Sequence, residues 1–196
     1  MAQHPGMSTL DEGASIRLDY NNPVSYVAFK GFYVINGQVG AAGQGEAGGS
    51  GSQRHHHLKF IRNGVQGGDV YEQPFSASRI DNVLFENNYA FGGGRYKFAS
   101  YHAENVVWRR NVARFDRGLE RDAATFNKPF GTYSVYSSKH TFLGNNLAID
   151  SDNPDFVNKG ELAGEFATPT TSGDSSARFH RNIQLNSAFL FANNTL

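Results

Sequence analysis

One spacing recurs along the chain: an apolar residue, an aromatic two positions later, and Asn three positions after the aromatic. It appears as Leu58, Phe60, Asn63, as Val83, Phe85, Asn88, and as Val106, Trp108, Asn111. With weaker first positions it returns as His140, Phe142, Asn145 and as Ala177, Phe179, Asn182. The aromatics of the five copies lie 25, 23, 34 and 37 residues apart. The second and third copies align over thirteen positions without a gap, residues 78–90 over 101–113, so that Asp81-Asn82-Val83 lies over Glu104-Asn105-Val106. A looser copy occupies 26–37.

Side chains two residues apart leave the same face of a strand, so each apolar-aromatic pair defines the inner face of a short strand. Asn tolerates left-handed backbone and hydrogen-bonds its own turn, so it is expected to close the strand. A strand of about four residues cannot bury its own face, and a repeat this short leaves no room for a crossover helix. Stacking of like units answers both problems: strands pair in parallel about 4.8 Å apart, aromatics stack on aromatics and Asn amides form ladders. A second alternating stretch between copies, at 96–101 and 132–136, reads as another strand of the same circuit.

These five aromatic-x-x-Asn units, the Asp81-Asn82-Val83 and Glu104-Asn105-Val106 lead-ins and the segment 29–37 make the chain similar to the pectate-lyase-like superfamily. The resemblance implies an all-β fold, a right-handed single-stranded parallel β-helix (solenoid) of about six coils with loop insertions. It covers a single domain, residues 1–196, with regular coils over about 26–194. A β-sandwich, with turns every 8 to 12 residues, would not give the aligned 23-residue copy. Excursions are expected at the Gly-rich stretch 37–53, read as a flexible loop, and at 114–132 and 150–173. No amphipathic helical cap precedes Ile16 and the last residues fall inside a coil. The chain therefore reads as part of a longer solenoid, or as one whose ends meet oligomer contacts.

Composition narrows the function classes. Lys and Arg (18) balance Asp and Glu (18), which argues against a nucleic-acid partner. No apolar run is long enough to span a membrane. Without Cys there is no disulfide framework or thiol chemistry. The eighteen Asn and sixteen Phe, against eleven Leu, favour strands and turns over helices.

The resemblance implies carbohydrate-active enzymes, or non-enzymatic adhesins and tailspikes, placed outside the cell or in the periplasm. The enzyme it points to first is a polysaccharide lyase acting on acidic polysaccharide by β-elimination; a glycan-binding or structural segment, or a piece lacking the active site, is the alternative. A lyase needs a cation to neutralise the sugar carboxylate, a base for the adjacent proton and an acid for the leaving oxygen. Lys97 is the candidate base, on an outward face shared with Tyr101; Arg95 stands beside it, and Tyr101 or His102 is the candidate acid. The plainer account of Lys97 and Arg95 is that they solvate an outer face. Arg109, Arg110, Arg114, Arg117 and Arg121 form the densest positive run, suited to carboxylate contacts, although interleaved acids offer internal ion pairing instead. Asp150, Asp152 and Asp155, with Asn153, supply oxygen ligands for Ca²⁺ or simply Asx turns. The chain shows none of the motifs of polygalacturonase-like hydrolases. His55-His56-His57 places His55 and His57 on one strand face without a third metal ligand, and a turn role is simpler. His140, in the slot of Val83 and Val106, is expected to be a hydrogen-bonded core histidine.

Overall fold

The computed structural model describes residues 8–11, 13–18, 22–43, 54–68, 73–93, 96–116, 131–151, 184–185 and 189–192. Among them there is no helix, and every strand pairing is parallel. The first sheet stacks β1 (Ser8–Leu10), β4 (Phe32–Ile35), β7 (Gly64–Gly67), β10 (Tyr89–Gly92), β13 (Val112–Asp116) and β15 (Leu147–Ser151). The second stacks β2 (Ile16–Leu18), β5 (Val39–Ala42), β8 (Phe75–Ser78), β11 (Tyr96–Tyr101), the first part of β14 (Gly131–Gly144) and β16 (Gln184–Leu185). The third stacks β3 (Ala28–Lys30), β6 (His56–Ile61), β9 (Asp81–Glu86), β12 (Glu104–Arg109), the second part of β14 and β17 (Phe189–Ala192). The chain thus visits the three sheets in rotation, as stacked parallel sheets of a β-solenoid do.

The recurring spacing supplies the core. Leu58, Val83, Val106 and Thr141 stand in one register row, and Phe60, Phe85, Trp108 and Leu143 in another. Ring centroids are 5.3 Å apart from Phe29 to Phe60, 4.8 Å from Phe60 to Phe85 and 4.0 Å from Phe85 to Trp108, all stacked. A second column, Phe75, Phe98 and Tyr133, rises from the second sheet with spacings of 4.8 and 5.0 Å. The columns meet edge to face, Phe75 on Phe85 and Phe98 on Trp108, the arrangement favoured by the ring quadrupoles. The two stretches 96–101 and 132–136 pair as expected, with Phe98 opposite Tyr133.

The Asn residues form the expected ladder but do not take the left-handed turn role assigned to them. Asn63, Asn88, Asn111 and Asn146 are buried and form a ladder. Nδ2 of each of the first three donates to Oδ1 of the next, at 3.3, 3.0 and 3.1 Å. The same Oδ1 atoms accept the preceding rung's backbone N–H. Each Nδ2 also donates to the carbonyl of the aromatic one circuit earlier: Phe29, Phe60, Phe85 and Trp108. The left-handed residues are their neighbours, Arg62, Asn87, Arg110 and Asn145, with φ between 53° and 55°. A buried amide must be fully bonded, whereas the exposed turn residue needs only the positive φ.

Two further expectations change, and a third lies outside the described residues. The fourth copy is Thr141, Leu143 and Asn146, one residue on from His140, Phe142 and Asn145. A one-residue shift turns every side chain to the opposite face, so His140 is an exposed left-handed residue (φ 51°) and not a core histidine. The fifth copy, Ala177, Phe179 and Asn182, lies outside the described residues, and Phe189 and Phe191 stand in register with Thr141 and Leu143. Finally, the Gly-rich stretch opens with a strand: in β5, Val39 and Ala41 face the core. A Cβ on Gly40 would lie 2.3 Å from the Ser76 carbonyl oxygen, so only glycine fits there.

Candidate functional site

The outward side of the third sheet carries the groove. Where the chain enters this sheet, Ser25, His56, Asp81, Glu104 and Lys139 stand in one row, each circuit adding one residue. The next residue along the chain is left-handed in each of these five circuits: Tyr26, His57, Asn82, Asn105 and His140, with φ from 51° to 59°. A positive φ there breaks the strict alternation of the strand, and Tyr26, His57, Asn82 and Asn105 all reach solvent. Asn105 Nδ2 donates to Asn82 Oδ1 at 3.2 Å, an exposed ladder parallel to the buried one. Tyr26, 76% exposed, stacks on His57 at 4.7 Å and meets His56 edge-on at 5.6 Å. Beside this row runs a groove of about 490 Å³, with Ala28, Lys59, Leu84 and Val107 among its lining. Ring faces, the paired amides and aliphatic side chains thus meet along one groove.

Behind the row sits a buried cation. Arg54 donates from Nε to the Arg79 carbonyl at 3.0 Å and from Nη2 to the His102 carbonyl at 2.7 Å. Its Nη1 lies 2.9 Å from Asp81 Oδ1. Both carbonyls belong to left-handed residues, Arg79 (φ 52°) and His102 (φ 48°), so Arg54 clamps the bend between the second and third sheets. Burial pushes the Asp81 carboxyl above the ordinary value of 3.8, and the neighbouring Glu104 adds to the rise. Arg54 and His56 pull the other way without cancelling it. A second carboxylate in the adjacent strand repels the charged form of Asp81. Asp81 borders the groove through Asn82 but does not line it.

Those residues singled out from sequence that are described lie on several different elements. Lys97, expected to face solvent, is 0% exposed; its ammonium donates to the Gly92 and Gly93 carbonyls at 2.7 and 3.0 Å. Its alternate neighbour Ala99 is buried as well, so this side of β11 is covered. Tyr101 remains 36% exposed, with the Arg79 guanidinium 5.1 Å from its ring centroid and the half-buried His102 ring edge-on at 4.1 Å. Arg109 forms a two-point pair with Glu86, Nε to Oε1 at 2.9 Å and Nη2 to Oε2 at 3.1 Å, and Arg110 shares the same carboxylate at 3.3 Å. Among the described residues, their partner comes from the preceding circuit. Arg114 lies on β13 over the Phe91 ring, 4.9 Å from its centroid. Asp150 falls on β15, opposite Phe115. Arg95, Arg117, Arg121, Asp152 and Asp155 lie outside the described residues. Of the histidine run, His55 is buried and accepts the Val24 N–H on Nδ1 at 2.9 Å, leaving His56 and His57 on the surface.

Sequence reasoning missed the groove and the Arg54–Asp81 clamp. The aligned Asp81-Asn82 and Glu104-Asn105 pairs marked two of the positions, but nothing linked them to Tyr26 or Lys59. No family model, curated protein or solved structure matches the chain.

Proposed function

We propose that the protein is a glycan-binding, non-catalytic segment of a right-handed single-stranded parallel β-helix of about six coils, of the pectate-lyase-like kind. The observation that carries this reading is the exposed groove in which Tyr26, stacked on His57, precedes the Asn82–Asn105 amide pair. A sugar ring lays its C–H face on an aromatic ring and offers hydroxyls to amides. Repetition of amides along parallel strands suits a ligand that itself repeats. Lys59 in the groove provides a cation for a uronate carboxylate, so the class favoured is acidic polysaccharide. Such a ligand belongs outside the cell or in the periplasm. The binding reading stands ahead of the lyase reading because Lys97, the only base named for elimination, has its ammonium buried on two backbone carbonyls.

Calorimetric titration with oligogalacturonate, oligoalginate and a neutral β-glucan tests the proposal. Binding of an acidic oligomer is expected, weakened about tenfold by Tyr26→Ala, the loss of one ring contact of about 1.4 kcal/mol. Lys59→Ala should weaken the acidic ligands and leave the neutral one unchanged. Absence of binding to all three, or binding indifferent to both substitutions, overturns it. Release of unsaturated uronide from any of them, lost in Lys97→Ala, would restore the lyase reading.

A further inference from the structure

We propose that His56 and His57 form a two-nitrogen chelate for a divalent transition metal of tetragonal geometry, Cu(II) foremost. The proposal does not depend on glycan binding, although His57 lines the same groove; it rests on the geometry of this pair. Consecutive side chains in a strand point to opposite faces, but the left-handed His57 (φ 55°) brings its ring beside that of His56. The two Nδ1 atoms are 2.8 Å apart. Without metal this contact is a hydrogen bond between the two rings. With it, the donor ring carries its proton on Nε2 instead of Nδ1, so that both Nδ1 lone pairs are available and the net charge of the rings is unchanged. At a metal–nitrogen distance of about 2.0 Å, nitrogens 2.8 Å apart subtend roughly 90°, the cis angle of a square-planar or tetragonal site. A tetrahedral zinc site would need them farther apart.

The setting keeps the pair in place. Tyr26 stacks on the His57 ring and abuts the His56 ring, limiting both rotamers before any metal arrives. The charged groups around it are Asp81, next to His56 in register, Arg54, which is paired with Asp81, and Lys59, which lines the same groove as His57. The site therefore relies on its two nitrogens and not on local negative charge. Among the described residues no three His, Cys, Asp or Glu side chains cluster as a metal site. The remaining positions therefore fall to water or an added ligand, which the Irving–Williams order again resolves in favour of copper.

Titration of the full chain with Cu(II), Ni(II) and Zn(II), read by calorimetry and by copper electron paramagnetic resonance, decides the matter. A His4→Ala background removes competition from the amino-terminal segment. The variants His57→Asn and His56→Ser place at each position the residue found at the same row in a neighbouring circuit, Asn82 and Ser25, so the fold is expected to persist; circular dichroism checks it. The expected result is one Cu(II) per chain with two-nitrogen coupling, affinity falling in the order copper, nickel, zinc, and at least a tenfold loss in either folded variant. No copper site, a site unchanged in both variants, or zinc bound as tightly as copper would overturn it.

Discussion

Asn88 uses every polar atom of its amide. Nδ2 reaches Asn111 Oδ1 and the Phe60 carbonyl, and Oδ1 accepts from Asn63 N and Nδ2. Truncation to Ala leaves the Asn63 N–H and the Phe60 carbonyl buried without those partners. Each such group costs about 1–3 kcal/mol, so Asn88→Ala should lower unfolding stability by on the order of 3 kcal/mol in urea titrations. Substitution of its exposed, left-handed neighbour Asn87 by Gly should by contrast change stability by less than about 1 kcal/mol, because Gly adopts positive φ freely. Two adjacent asparagines thus serve unrelated purposes, one a satisfied buried amide and the other a backbone conformation. Residue type alone could not separate them: Arg62 and Arg110 fill the turn position equally well, and the ladder position is recognised only by its neighbours in space.

At the scale of the strand, the lead-in to the third sheet places Asp81 and Glu104 in register with no spacer between them. Asp81 binds its proton more tightly in the folded protein than in the unfolded chain, because burial and then Glu104 disfavour its charged form. Its contribution to stability is therefore complete below the unfolded value of 3.8 and is lost as pH rises through the raised folded value. Measured against Asp81→Asn, the wild type should gain stability as pH falls through that window. Glu104→Gln should move the Asp81 midpoint down toward 3.8, followed by carboxyl NMR. The strands themselves were legible because copies two and three align without a gap, which fixes Val83 over Val106 and Phe85 over Trp108. The groove was not. It draws Tyr26, His57, Asn82 and Asn105 from four separate circuits, and the chain spacing between circuits varies with loops that leave the row undisturbed. Lys97 was misjudged for a related reason: alternation tells which face a side chain takes, but not whether that face is covered.

For the molecule as a whole, the two aromatic columns tie the second and third sheets into one core. Tyr133 belongs to it, fully buried, with its hydroxyl donating to the Asn111 carbonyl at 3.2 Å. Burial pushes its phenol well above 10, so the folded state resists ionisation that the unfolded chain accepts. The stability it supports is intact below the unfolded value of 10 and declines as pH rises above it. Ultraviolet phenolate titration should show a late step, ionisation of Tyr133 together with loss of the circular-dichroism signal, that is diminished in Tyr133→Phe. The paired asparagines have a further consequence for how the chain reaches this state. At Asn87-Asn88 and at Asn145-Asn146, a circuit docked one residue out of step still presents an amide to the ladder. Proofreading of such errors falls to the aromatic columns, which a slipped strand turns toward solvent.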